Sequence, residues 1–289
     1  MTESIVADFV GRFQTPEHAG AEPVTGRILL SRKRLVLAAD AGKTTVPLSS
    51  VFDVSVGFVP AEMEEFFDDT VTVAYTEKGA GNRTVVIEGK GTNVDKFASV
   101  LFKTLLSGTK TYYRHPAKVG GRVTDAPVRK GKLKLEPRRL AFVGSEPLSI
   151  DLTTVTNIGR THREFGGSSR EVLAVSHMDG GSAITTDLAV SSRRKTNVLG
   201  RYVRLEYASF VEEIADLEQT EEELEALVAV YSAGGAVDLG SLLDAEPAQV
   251  TMVLNSLRED DLVVDREEAT ELTPKGRVVV TRHLEDVNF

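Results

Sequence analysis

Short apolar runs rich in Val, Ile and Thr recur along the first third of the chain, at Ile5–Phe13, Val24–Ser31, Arg34–Ala38, Thr44–Leu48, Val51–Val56, Thr70–Tyr75 and Arg83–Glu88. Turn-forming residues separate them. Where apolar and polar positions alternate, as around Val71, Val73 and Tyr75, the period of two predicts half-buried antiparallel strands. The period then changes. From Asn93 to Leu106, the residues Val94, Phe97, Leu101 and Leu105 fall on one helical stripe, and Gly108 supplies the stop. The same succession starts again near Tyr112 and closes in a second helix, predicted from Thr196 towards Leu217.

The recurrence reaches individual residues. VTGRILLSRKRLVL at 24–37 returns as RKGKLKLEPRRLAF at 129–142, so that Gly26, Ile28, Leu30, Lys33, Arg34 and Leu35 lie over Gly131, Leu133, Leu135, Arg138, Arg139 and Leu140. Leu48, Val51, Asp53 and Val54 lie over Leu152, Val155, Asn157 and Ile158, and Thr92–Asn93–Val94 over Thr196–Asn197–Val198. An offset near 104 held over three separated stretches is the length of a small domain, and points to one domain written twice. About seven strands and a closing helix resemble the layout of pleckstrin-homology (PH) and GRAM-like domains. The fold class expected is therefore α+β: two tandem PH/GRAM-like β-barrel domains, residues 1–108 and 109–218, each closed by a C-terminal helix.

Residues 219–289 have a different pattern. Thr220 followed by Glu223 is a capping box, and Leu224, Leu227, Val228 and Tyr231 continue at helical spacing. A short helix is predicted from Asp238 through Leu243, and another opens at Pro247 with Val250, Val253, Leu254 and Leu257 on its stripe. Leu262–Val264 and ELTPKGR at 271–277 read as a strand pair and a capped terminal helix. The order is that of a winged helix, which makes 219–289 an α/β winged-helix domain in this reading.

Charge argues against the usual use of such a domain. From Leu217 to Phe289 there are 17 Asp and Glu against 5 Arg and Lys, a net of −12, while the whole chain carries −9 and residues 1–216 therefore +3. Duplex DNA presents one negative charge per roughly 1.7 Å, and a protein meets it with several Lys or Arg. The helix from Pro247 to Arg258 has one basic residue, Arg258, followed by Glu259, Asp260 and Asp261. No nucleic-acid partner is expected, and the acidic part reads as a protein-docking module.

Composition excludes further classes. Cysteine is absent, which removes disulfides, thiolate metal sites and cysteine nucleophiles. The start of the chain has no basic region followed by an apolar run, and no stretch approaches 18 consecutive apolar residues, so a cytoplasmic protein without membrane insertion is expected. The five histidines, His18, His115, His162, His177 and His283, show no metal-ligand spacing on a helix face. GKGT at 89–92 lacks the remainder of a phosphate loop, and the acidic pairs Glu64–Glu65 and Asp68–Asp69 sit with Phe66 and Phe67 in a loop-like stretch. Neither a catalytic residue nor a cofactor or metal site is predicted; the chain reads as a non-enzyme.

Basic clusters remain as candidate binding residues. Arg32, Lys33 and Arg34 match Arg138 and Arg139 of the second copy, where Arg129, Lys130, Lys132 and Lys134 add to the charge, and Arg193, Arg194 and Lys195 precede the long helix. The functional reading is a landing site for an acidic partner protein, with an anionic membrane as the alternative and a solvated surface as the plain one.

Two sheet-and-helix copies with GRILLSRKRLVL and PLSSVFDV in the first, a long connecting helix and an acidic C-terminal part ending in LTPKGR together resemble CheF, a family of archaeal chemotaxis proteins. The resemblance implies an adaptor that binds the response regulator CheY, preferentially when phosphorylated, and connects it to the switch proteins of the archaellum. It carries no binding residues over at single positions. Arg exceeds Lys by 21 to 13, which suits a salt-adapted archaeon. A winged-helix transcription regulator and a lipid-binding PH/GRAM-like module are the rival readings, and a homodimer is open to all three.

Overall fold

A computed structural model describes residues 3–18, 22–40, 42–58, 66–67, 69–88, 92–179, 181–233, 240, 246–266 and 269–287. Two compact units divide the chain, Met1–Glu206 and Tyr207–Phe289. The first contains β1 (Ile5–Gln14), β2 (Val24–Ser31), β3 (Arg34–Ala39), β4 (Gly42–Pro47), β5 (Val51–Val56), β6 (Thr70–Glu77), β7 (Gly81–Glu88) and α1 (Thr92–Leu106). There follow β8 (Lys110–Val119), the two-residue β9 (Arg122–Val123), β10 (Arg129–Glu136), β11 (Arg139–Val143), β12 (Leu148–Asp151), β13 (Val155–Glu164), β14 (Ser169–Asp179) and β15 (Ser182–Val190). α2 (Arg193–Ala215) begins in this unit and ends in the next.

The strand order is β4-β3-β2-β1-β7-β6-β5 in one sheet and β12-β11-β10-β8-β15-β14-β13 in the other, with β9 paired only to β8. Without β9 the two orders coincide, which is the structural form of the sequence repeat. The matched apolar positions explain it: Ile28, Leu30, Leu35, Leu37 and Val46 are buried in one copy, and Leu133, Leu135, Leu140, Phe142 and Ile150 in the other. A cross-link repeats too. The Leu48 N–H donates to the Lys33 carbonyl at 2.8 Å, and the Leu152 N–H to the Arg138 carbonyl at 2.8 Å, tying each Arg-rich hairpin to the 3-10 turn after its fourth long strand.

The expected barrels are not formed. β4 and β5 end the first sheet and β12 and β13 the second, each paired on one side only, so both sheets are open and antiparallel. Alternation within a strand decides which face is buried; closure needs a register between the first and last strands that no local pattern encodes. The α+β class stands. Phe97, Leu101 and Leu105 of α1 are buried as their spacing predicts, and α2 contributes Val198, Leu199, Tyr202 and Val203. Arg201 of α2 makes a two-pronged ion pair with Asp53 of β5, at 3.1 and 3.0 Å.

The second unit holds the end of α2, α3 (Glu221–Ala233), α4 (Pro247–Glu259), β16 (Val263–Arg266), β17 (Ala269–Leu272) and α5 (Pro274–Val287). The capping box forms as its residues require: the Thr220 N–H donates to Glu223 Oε2 at 2.9 Å, and the Glu223 N–H to Thr220 Oγ1 at 3.2 Å. LTPKGR is likewise a helix start. Leu272 enters the core, the Thr273 hydroxyl accepts from the Gly276 N–H at 3.2 Å, and a Cβ at Gly276 would run into the Leu262 carbonyl oxygen. Leu227, Val230, Val253, Leu257, Val279 and Val280 form the core, whereas Tyr231, expected on the stripe of α3, is 47% exposed.

The winged-helix expectation is also corrected. Among the described residues this unit is a small helical cluster with a two-stranded antiparallel hairpin, and the helix expected from Asp238 through Leu243 lies outside the described residues. Helix periodicity and caps set the individual elements; their mutual arrangement rests on long-range packing that those signals do not contain. Gly89–Gly91 of GKGT, and Glu64, Glu65 and Asp68 of the acidic pairs, are outside the described residues as well.

Candidate functional site

The predicted basic residues of the second copy separate into three places. Lys130, Lys132 and Lys134 alternate along β10 and are exposed on one face of the sheet, with the buried Leu133 and Leu135 on the other. Register extends that face: Lys132 stands opposite Lys110 of β8, Lys130 opposite Tyr112, and Arg139 opposite Glu136. Lys134 bridges to Glu136 at 2.6 Å, and this contact, with Arg139 nearby, holds the Glu136 carboxyl below the usual carboxylate range. Lys110, Lys130, Lys132, Lys134 and Arg139 thus form one solvent-facing cationic strip.

Arg129 and Arg138 do not belong to it. Arg129 is half-buried and paired with Glu146 at 2.6 Å, and the Tyr113 hydroxyl donates to the Glu146 carbonyl at 2.5 Å. Arg138 occupies the β10–β11 turn with φ of 54°, its backbone N–H donating to Glu206 Oε2 at 2.7 Å. The third place is the start of α2. Arg193 and Arg194 are exposed, Arg193 reaching Glu171 at 3.1 Å. Lys195 points inward instead: its Nζ donates to Thr109 Oγ1 at 2.9 Å, and burial lowers its pKa from the ordinary lysine value.

Sequence reading missed several cations of the same sheet. Arg170 lies over the Tyr112 ring at 4.1 Å and Lys130 over it at 5.4 Å; Arg114 and Arg163 flank the buried Phe165 at 5.8 and 6.0 Å. Asp187, on β15 opposite Arg114, takes an ion pair from Arg163 at 2.6 Å. Burial raises the Asp187 pKa and these arginines oppose the rise. Single arginines at alternating strand positions leave little trace; the one legible signal is the density of Arg in RTHREFGGSSR at 160–170.

His115 and His177 also come together, which their distance in the chain conceals. Their rings stack at 5.9 Å, and His115 Nδ1 and His177 Nε2 lie 2.8 and 3.1 Å from the Thr186 hydroxyl. That hydroxyl donates to one imidazole and accepts from the other when both are neutral. Burial pushes both pKa values below the ordinary histidine value, with the neighbouring imidazole lowering His177 further; Asp179 opposes at both, while Arg129 reinforces the lowering at His115. The unfolded chain, with histidine near 6.5, therefore takes up protons first as pH falls. The contribution of this pair to stability should be fully present above the ordinary histidine value of about 6.5 and be lost as pH falls below it, and replacing both histidines by Asn should flatten that segment of the melting-temperature profile. An identical slope in the double variant would refute the assignment.

Among the described residues no group of three or more His, Asp or Glu side chains is placed to hold a metal ion, and no helix is long and apolar enough to cross a membrane. The site that remains is a cationic sheet face and helix start on the duplicated part. A family model, Archaeal Chemotaxis signal transduction system protein F, matches residues 5–209, the stretch that carries both sheets. The chain belongs to the CheF family. It is 47% identical over 289 residues to the Taxis protein CheF2 of Halobacterium salinarum, covering 100% of both chains. It is 28% identical over 284 residues to the Taxis protein CheF1 of the same organism, covering 96% of this chain and 95% of that one. CheF membership assigns the chain to archaeal chemotaxis signal transduction, a system that works through protein partners.

Proposed function

We propose that the chain is a non-enzymatic, cytoplasmic adaptor that binds the response regulator CheY, preferring its phosphorylated form, and carries the signal to the switch proteins of the archaellum. Membership of CheF supports the setting. The observation that carries the binding role is the strip of Lys110, Lys130, Lys132, Lys134 and Arg139 on one open sheet face, in a chain whose segment Leu217–Phe289 bears a net −12. Charge of opposite sign on two parts of one chain fits two different partners. In this reading residues 1–108 and 109–218 offer the sheet faces and residues 219–289 form an acidic docking module.

Calorimetry of the full chain against phosphorylated CheY, at two salt concentrations, tests the reading. Changing Lys130, Lys132 and Lys134 together to Glu should weaken binding at least tenfold, about 1.4 kcal/mol, with slower association and a smaller salt dependence. These side chains are exposed, so stability should move by only about 0.5 kcal/mol per site. Unchanged affinity, with no salt dependence in the parent, would move the CheY site off this strip; no binding of CheY in either state would end the adaptor reading.

A further inference from the structure

The strands that end the two open sheets are not alike. β4 has six residues and ends in Pro47, β5 has six and β12 has four, and short or proline-bearing edges are what ordinarily keeps a sheet from pairing with another chain. β13 has ten residues and no proline, and its backbone pairs with β14 alone. From Arg160 to Glu164 every residue is exposed, so burial of a core does not account for this half of the strand. What it adds to the molecule is a length of open sheet edge.

The first copy shows that the fold does not require that length. Register gives the correspondence. Phe13 stands opposite Val24 and Tyr113 opposite Arg129, each two residues before the matched glycines Gly26 and Gly131, so Phe13 and Tyr113 are equivalent. Across the first sheet Phe13 leads through Ile87 and Val71 to Val56; across the second Tyr113 leads through Leu188 and Leu173 to Arg160. Val56 is the last residue of β5, whereas β13 runs on from Arg160 to Glu164. Thr161–Glu164 is therefore an extension present in the second copy and not in the first.

We infer that Arg160–Glu164 pairs antiparallel with the same segment of a second copy of this chain, about a twofold axis at His162. Charges of one sign along an edge would repel a second copy, but this segment carries both signs placed symmetrically. The register sets Arg160 of each copy opposite Glu164 of the other, so the attractive pair occurs twice, and it sets Arg163 opposite Thr161. Arg163 points to the other face of the sheet, where Asp187 holds it at 2.6 Å. Arg160 donates to Asn197 Oδ1 at 2.9 Å and lies 3.8 Å from Glu171, and the several N–H groups of a guanidinium leave a donor for a further carboxylate. Such a contact is isologous and closes at two copies. Its few paired residues fall short of the about 20–30 a side of a standard interface, so the dimer is weak and its population rises with concentration. This inference is independent of the adaptor reading and uses none of its residues on the β10 strip.

The chain has no cysteine, so His162→Cys introduces a lone thiol at the proposed axis. Residues directly opposite in an antiparallel pair have Cα atoms about 4.5–5.5 Å apart, within the about 4.4–6.8 Å that a disulfide spans. Under mild oxidation the full-length His162→Cys chain should form a covalent dimer at least tenfold faster than Thr156→Cys, an exposed position on the same strand whose two copies lie roughly 40 Å apart in this register. Sedimentation velocity of the parent chain should show a monomer–dimer equilibrium. Glu164→Arg sets arginine opposite Arg160 and should raise the dimer dissociation constant at least tenfold; Glu22→Arg makes the same change of charge at an exposed site elsewhere and should leave it in place. All of these positions are exposed, and circular dichroism checks that each variant keeps the fold. A chain that is monomeric at every concentration, cross-linking no faster than that of Thr156→Cys, or a dimer indifferent to Glu164→Arg overturns the inference.

Discussion

Replacing Tyr202 by Ala should destabilise the duplicated unit by about 3–5 kcal/mol, as truncation of a large buried aromatic residue does. Tyr202 is fully buried, its ring centroid lies 5.6 Å from that of Phe102 on α1, and its hydroxyl donates to the Glu136 carbonyl of β10 at 2.9 Å. One side chain therefore joins the closing helices of both copies to a strand of the second. Burial, reinforced by Glu206, raises the phenol pKa far above its ordinary value, so the group remains a neutral donor. Alanine would open a cavity and also remove the donor from the part-buried Glu136 carbonyl. Tyr202→Phe separates the two effects, keeping the ring and losing the bond for about 1 kcal/mol. Chemical unfolding of both variants gives the comparison. A Tyr202→Ala chain within about 1 kcal/mol of the parent would mean that the helices do not share a core there.

The second large effect is expected at a glycine that the repeat repeats. Gly26→Ala should cost about 3 kcal/mol, the upper range for overpacking, and Gly131→Ala about 1 kcal/mol. A Cβ on Gly26 would collide with the Ala38 carbonyl oxygen of β3 and meet the Phe13 ring at 3.0 Å. On Gly131 it would meet the Val143 carbonyl oxygen at 3.0 Å and the Tyr113 ring at 3.2 Å. Both glycines lie under an aromatic ring where neighbouring strands approach closely, which gives their matching positions a physical cause. The first contact is backbone against Cβ and cannot be relieved by a rotamer change; the second needs a shift of a few tenths of an ångström. Equal melting temperatures for the two alanine variants would show that the first sheet yields as easily as the second.

Much of the local structure was legible because it depends on near neighbours. Val24–Ser31 and Val51–Val56 were placed to the residue, since runs rich in Val, Ile and Leu end where turn residues begin. The Thr220–Glu223 box and Pro247 at the head of α4 form as read, because capping involves residues three positions apart. The basic site was legible only in part. Lys130, Lys132 and Lys134 share a face because strand period is two, but nothing nearby in the chain reveals that Lys195 turns inward to Thr109, 86 positions away, or that Arg129 is committed to Glu146.

By itself the sequence determined the duplication, the strand and helix segments, the division into a slightly basic majority and an acidic C-terminal part, and the resemblance to CheF that the family match bears out. All of these are carried by composition or by patterns that span fewer than about twenty residues, apart from the repeat, which is a comparison of the chain with itself. Tertiary structure alone decided that the sheets stay open, that the acidic part is not assembled as a winged helix, and that Arg160 and Arg193 meet at Glu171 while Arg170 lies over Tyr112. Those outcomes depend on which distant strands pair and which side chains are already neutralised by a partner. Long-range pairing is settled by the summed burial of many residues at once, and no local spacing records it.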